Sequence, residues 1–135
     1  MYQAVLDPGV LIAAMLSAKG APADLLRRWR AGDYELVASP KLLAELERVL
    51  LRLKFRKYLS EEEAREYVAL FRRFATLVQD PPAVAGLTPD PGDDYLVSLA
   101  RIAQAHFLVS GDPHLTGLPE PWPPVLTPRA FLDQL

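Results

Sequence analysis

Cysteine and asparagine are both missing from this 135-residue chain. Without thiols there can be no disulfide and no thiolate metal site, which fits a cytoplasmic protein. No apolar run approaches the roughly 20 residues of a membrane helix. Met1 leads straight into a strand-like run and leaves no room for a signal peptide, so no membrane partner is expected. There is no excess of positive charge either: 15 basic against 17 acidic side chains give a net charge of −2. Any binding of nucleic acid must therefore use a local patch. A nucleotide binder of flavodoxin or Rossmann type wants a glycine-rich turn after its first strand, and Asp7-Pro8-Gly9 is not one. A phosphotransferase with an aspartyl nucleophile at Asp7 wants a second aspartate two residues on, where Gly9 stands.

Half of the residues are hydrophobic, and charge is at an ordinary level. Such a composition suits one folded domain, residues 1–135, with a sizeable core. The 13 prolines and the preference for arginine over lysine are thermophile habits, although a GC-rich gene produces the same bias.

Strands alternate with helices. Residues 2–7 read as a buried strand, 10–17 as a short helix, 23–31 as a helix and 34–38 as a second strand, with Gly20-Ala21-Pro22 as a break. Ser39-Pro40 opens a helix whose Leu42, Leu46, Val49, Leu50 and Leu53 keep a 3.6-residue period. Ser60 to Glu63 is a capping box for a helix reaching about Ala75. Thr76 to Val78 reads as a short strand and 80–92 as a loop. A helix over 93–105, a strand over 107–110, a loop over 118–124, a strand at 125–126 and a closing helix from Thr127-Pro128 complete the chain. This alternation predicts an α/β fold with a mainly parallel sheet and helices on both faces.

Two of the strands end on an aspartate followed by proline: Asp7 and Asp112. In a parallel sheet the carboxyl ends of the strands share one edge, where ligands bind. Glu45 and the pair Asp93-Asp94 sit near helix starts facing the same edge. Singly, each acid reads as a turn or cap residue; the functional reading rests on their convergence. Two carboxylates about 4 Å apart repel by roughly 4 kcal/mol at an effective dielectric of 20. No lysine or arginine adjoins Asp7 or Asp112 in sequence, so a hard divalent cation is the expected neutraliser, Mg²⁺ or Mn²⁺ for oxygen-only ligands. Periodicity leaves two choices open. Glu45 and Glu47 flank the apolar stripe of their helix on opposite sides. Asp93 leans toward the apolar side of its own helix, and Asp94 lies opposite, with Ser98 and Arg101.

Val5-Leu6-Asp7, Ser39-Pro40-Lys41-Leu42-Leu43-Ala44-Glu45-Leu46, Asp93-Asp94-Tyr95-Leu96-Val97-Ser98-Leu99-Ala100 and Val109-Ser110-Gly111-Asp112 together resemble a PIN domain, in order and spacing along nearly the whole chain. The ending, Leu126 to Leu132, is similar to the subgroup described as toxins of type II toxin–antitoxin pairs. The resemblance implies a three-layer α/β/α sandwich with a four- to five-stranded sheet and metal-dependent cleavage of RNA. It implies Asp7, Glu45, Asp94 and Asp112 as catalytic residues and metal ligands. Asp94 is favoured over Asp93 because it stands 18 positions before Asp112, the family spacing. Ser110 is expected to support the last acid, with Asp93 in a supporting role. A cognate antitoxin and a homodimer are the partners the family implies.

Three features depart from or qualify that pattern. Relatives often follow the first aspartate with threonine and asparagine, where Pro8 and Gly9 stand; that loses a polar group beside the metal site. His114 replaces an acid common in relatives and reads as a loop bystander. For RNA, Arg52, Lys54, Arg56 and Lys57 form a basic run with Phe55 and Tyr58 placed to stack on bases; the same segment reads equally as a solvated helix face with Phe55 inward or as a place where a partner protein docks, whereas Arg27, Arg28 and Arg30 read as a solvated helix face. The alternative to an enzyme is a PIN-like binding or assembly module with a weakened metal site.

Overall fold

The computed structural model describes all residues, Met1–Leu135. Five strands form one parallel sheet: β1 (Gln3–Leu6), β2 (Glu35–Ala38), β3 (Thr76–Leu77), β4 (Phe107–Val109) and β5 (Val125–Leu126), in the order β3-β2-β1-β4-β5. β1 is central and pairs Val5 with Val37 on one side and with Leu108 on the other. Ala4, Val5, Leu36, Val37 and Leu108 are almost wholly buried, as strands covered on both faces require.

From β1 the chain walks outward to β2 and β3 through α1 (Pro8–Leu16), α2 (Ala21–Arg30), α3 (Pro40–Leu50) and α4 (Glu61–Phe74). It then returns to the far side of β1 through α5 (Asp94–Ile102), which packs on β1 and β4. Right-handed crossovers put the helices of the two walks on opposite faces, giving three layers. A four-residue helix α6 (Pro113–Thr116) links β4 to β5, and α7 (Pro128–Gln134) packs against α2. No single helix is long and apolar enough to cross a membrane.

The layer of α1, α2 and α4 is locked by aromatic residues. Phe71 of α4 stacks on Trp29 of α2 at 5.1 Å and meets Tyr67 edge-on at 4.9 Å. The Tyr67 hydroxyl donates to the Leu11 carbonyl of α1 at 2.7 Å, and that of Tyr34 to the Leu25 carbonyl of α2 at 2.8 Å. Burial pushes both phenols well above the ordinary tyrosine range. They therefore act as neutral donors that tie helices to the core.

Several helix ends follow local chemistry visible in the sequence. The Ser39 hydroxyl caps α3, and Ser60 with Glu63 forms the expected reciprocal box at α4. Other ends differ from expectation. Ala21 and Pro22 start α2 instead of breaking the chain, because proline at the first turn gives up an N–H that the helix does not use. The periodic stripe of α3 suggests a run to Leu53, but the helix stops at Leu50 and residues Leu53–Phe55 tighten into a 3₁₀ turn. α5 closes at Ile102, short of 105, and Gln104 takes a left-handed φ of 54°. α6 was not anticipated from the pattern; it is a single turn that Asp112 caps through the His114 amide.

Candidate active site

All five strands are parallel, so their carboxyl ends lie on one edge. The chain leaves β1 toward β2 on one side and later enters β4 on the other. The β1–β4 crevice is thus the point where the winding reverses, which is where an open α/β sheet receives ligands. A cleft of about 510 Å³ opens there, lined by Asp7, Asp90, Asp93 and Asp112 among others, and by no lysine or arginine.

Asp7 follows β1 directly and caps α1. Its Oδ1 accepts the Gly9 amide at 2.9 Å, and its Oδ2 accepts the Ser110 hydroxyl at 2.7 Å. Ser110 is wholly buried at the end of β4, and its oxygen in turn accepts the Asp112 amide at 3.0 Å. The expected support for the last acid thus works differently: the hydroxyl proton goes to Asp7, and Asp112 is held through its backbone. One side chain pins both acids across the β1–β4 pair. A Cβ at position 9 would stand 3.6 Å from the Asp7 carboxylate, an ordinary contact, so glycine there keeps the cap without being demanded by space. His114 is exposed, its Nδ1 3.6 Å from Oδ1 of Asp112.

Within each of the two pairs that periodicity leaves open, the residues make different contacts. Glu45 accepts a hydrogen bond from the hydroxyl of buried Tyr95 on α5, and Arg48 lies 3.9 Å from its other oxygen. Glu47 points elsewhere and pairs with Arg72 of α4 at 3.7 Å. Tyr95 is raised far above the ordinary phenol range, first by burial and then by Glu45, so it is a fixed donor. It was missed in the sequence, where it reads as one more apolar position of α5. Lys41 stands over its ring at 4.7 Å.

Of the two acids at the start of α5, the favoured Asp94 is turned away from the cleft and Asp93 is turned into it. Asp94 is buried, and its carboxylate turns into the preceding loop, accepting the amides of Gly86 at 3.1 Å and Thr88 at 2.8 Å. Asp93 is the one that lines the cleft. Its carboxyl is pushed up to about 6, first by partial burial and then by the charges of Asp7, Asp90, Asp112 and Glu45. Asp93 closes the 3₁₀ turn Pro91–Asp93 and Asp94 is the first residue of α5, so the two side chains leave the backbone in different directions. Asp90, absent from the expected set, joins the rim through a turn closed by its own bond to the Gly92 amide at 2.9 Å.

The basic residues divide. Arg27 and Arg28 pair with Asp24 and Asp33, as a solvated face would. Arg52, Lys54 and Lys57 are exposed, with Lys54 and Lys57 lying over Phe55 and Tyr58 at 5.0 and 5.1 Å. Arg56 turns inward to the Leu50 carbonyl. None of the four lines the acidic cleft.

No three acidic side chains, as placed, stand close enough to share one ion. Magnesium does not need that arrangement: it takes one or two carboxylates directly and keeps several waters. The donor set is all oxygen, and the carboxyl of Asp93, raised first by burial and then by its acidic neighbours, would be relieved by a hard cation beside it. The residues therefore fit a hydrated divalent ion, which Asp7 and Asp93 would hold together with bound waters.

A family profile described as PIN domain matches residues 3–114. Among solved structures, the chain is similar to one from VapBC2 of Rickettsia felis bound to a DNA fragment from their promoter. The TM-score is 0.60 at 14% identity, over 92% of this chain and 96% of that one. No curated protein sequence matches.

Proposed function

This chain belongs to the PIN-domain family, whose members are generally nucleases, and from that we propose that it is a Mg²⁺- or Mn²⁺-dependent endoribonuclease, the toxin of a toxin–antitoxin pair. The observation that carries the reading is the set of four aspartates, Asp7, Asp90, Asp93 and Asp112, that lines the cleft at the winding reversal with no lysine or arginine among them. The likeness of fold to a VapBC2 chain supports the toxin assignment and a protein antitoxin as partner.

When bound, the divalent ion supplies charge to polarise a phosphoryl oxygen and to lower the pKa of an attacking water. Everything else falls to the protein. Asp7 keeps a fixed direction because Ser110 and Gly9 hold both of its oxygens. Glu45, anchored by Tyr95, orients the attacking water and accepts its proton. The phosphate backbone meets Lys41 and Arg48 on α3 first, while Arg52, Lys54 and Lys57 offer further cations with Phe55 and Tyr58 to stack on unpaired bases. The reading extends to a homodimer acting in the cytoplasm. Exposed Leu53 gives apolar surface to a partner chain.

Tyr95→Phe removes the donor to Glu45 and keeps the ring. Its expected effect is a loss of about 10-fold in kcat with little change in KM for RNA, since outer groups around such sites are typically worth 10–100-fold. Steady-state cleavage of a fluorescent oligoribonucleotide checks it; an unchanged kcat would deny Glu45 its role.

A second reading, a PIN-like binding or assembly module, is favoured by the open placement of the acids, no three of which converge. One assay separates the two. Purified protein is given single-stranded RNA with Mn²⁺ or Mg²⁺, and Asp7→Asn serves as the control. Cleavage lost with EDTA and with the variant supports the nuclease. Equal cleavage in both proteins points to contamination, and none with either ion across varied RNAs supports the module.

A further inference from the structure

Asp94 occupies the position that family spacing marks as a ligand, yet its carboxylate is spent elsewhere. It is 6% exposed, although it sits at the first residue of α5 beside an open cleft. Oδ2 accepts the Gly86 amide at 3.1 Å, and Oδ1 accepts the Thr88 amide at 2.8 Å. The Thr88 hydroxyl stands 2.9 Å from the same Oδ1 and 2.5 Å from the Asp90 carbonyl oxygen, with one proton to give. Gly86 has a φ of 78°, a left-handed turn that aims its amide back at the helix and that a side chain would strain. From Thr88 the chain needs only two residues to reach Asp90, whose side chain accepts the Gly92 amide and whose carbonyl accepts the Asp93 amide, both at 2.9 Å. A continuous set of bonds thus runs from Asp94 through Thr88 and Asp90 to Asp93.

We propose that Asp94 is a positioning residue: its carboxylate clasps the 86–90 segment against the start of α5 and thereby fixes Asp93 and Asp90 at the rim of the cleft. Two amides that converge on separate oxygens need an acceptor with both oxygens free, and an asparagine offers only one. Asp94 also carries its negative charge out of the cluster, so it adds a support without adding to the repulsion among the rim acids. The inference rests on the proposed ion site and deepens it.

Direct Mn²⁺ titration by calorimetry, without RNA, tests it on three variants, with amide hydrogen exchange at Gly86 and Thr88 measured on the same proteins. Asp94→Asn is expected to weaken Mn²⁺ binding by about 10–100-fold and Thr88→Val by about 10-fold, while Thr88→Ser, which keeps the hydroxyl, restores binding. The two amides exchange faster in the weakened variants, and RNA cleavage by Thr88→Val returns to near the wild-type kcat at saturating Mn²⁺. Unchanged Mn²⁺ affinity despite faster exchange would overturn the proposal, leaving the clasp purely structural. So would an Asp94→Asn loss with unaltered exchange that no Mn²⁺ concentration restores, which would make Asp94 a ligand. A wild-type protein that binds Mn²⁺ but cuts no RNA defeats the nuclease reading alone, and the affinities still decide the role of Asp94. A wild-type protein that binds no Mn²⁺ defeats both.

Discussion

Asp93→Asn is expected to abolish metal-dependent cleavage of RNA and, at the same time, to make the metal-free protein more stable. The loss follows from removing a carboxylate that lines the cleft and faces the other acids. Losing such a group should lower kcat/KM by at least about 100-fold, more than the loss of an outer support. The gain in stability follows from linkage. The carboxyl is pushed up to about 6, above the value of about 4 for an unfolded chain. Between those values the folded state binds more protons, so stability falls as pH rises from about 4 to about 6, and above that the full cost is paid. Asparagine removes the charge and with it the cost. The side chain is partly exposed, and solvent screening leaves a gain of about 1 kcal/mol above pH 6 and none below pH 4. Thermal unfolding in EDTA at pH 4 and pH 7.5 reads the difference. Saturating Mg²⁺ should invert the order, since binding at 100 times Kd adds about 2.7 kcal/mol to the wild type alone. An Asp93→Asn protein that cleaves normally, or that is less stable than wild type in EDTA at pH 7.5, would show that Asp93 faces no such cluster.

The second large effect lies in the core. Phe71→Ala should destabilise the protein by about 3–5 kcal/mol, the usual cost of emptying a buried phenylalanine site. Phe71 is fully buried, stacked on Trp29 and set edge-on to Tyr67, and joins α4 to α2. Tyr67 in turn holds α1, the helix that Asp7 caps. A domain has only about 5–15 kcal/mol in total, so the variant should melt about 10–20 °C lower. Urea unfolding measures it directly. A loss below about 1.5 kcal/mol would mean that these rings do not hold the helical layer together.

How far the sequence reveals this protein depends on the kind of signal. The strands with Asp7 and Asp112 at their ends are legible, because buried runs followed by Asp-Pro mark both the strand and its exit. Ser39-Pro40 and the Ser60–Glu63 box are legible because capping is local chemistry. Glu45 is half legible: its nearness to the helix start is visible, whereas the Tyr95 hydroxyl that holds it is not. Which of Asp93 and Asp94 faces the cleft is not legible, because spacing along the chain does not report the direction of a side chain. That direction is set by Gly86 and Thr88, loop residues with no periodic pattern. Asp90 is hidden for the same reason. Ser110 is legible as a support, but its proton is given to an acid 103 residues away, a pairing that only the β1–β4 contact creates.

The central claim is that these acids gather around a divalent cation at the β1–β4 crevice. The most direct measurement is anomalous diffraction from crystals soaked in Mn²⁺. The account predicts at least one ion in the cleft, with carboxylate oxygens of Asp7 and Asp93 at about 2.0–2.3 Å, waters completing the shell, and Asp94 still bound to Gly86 and Thr88. A cleft without an ion at saturating Mn²⁺, or an ion bound elsewhere on the chain, would contradict it.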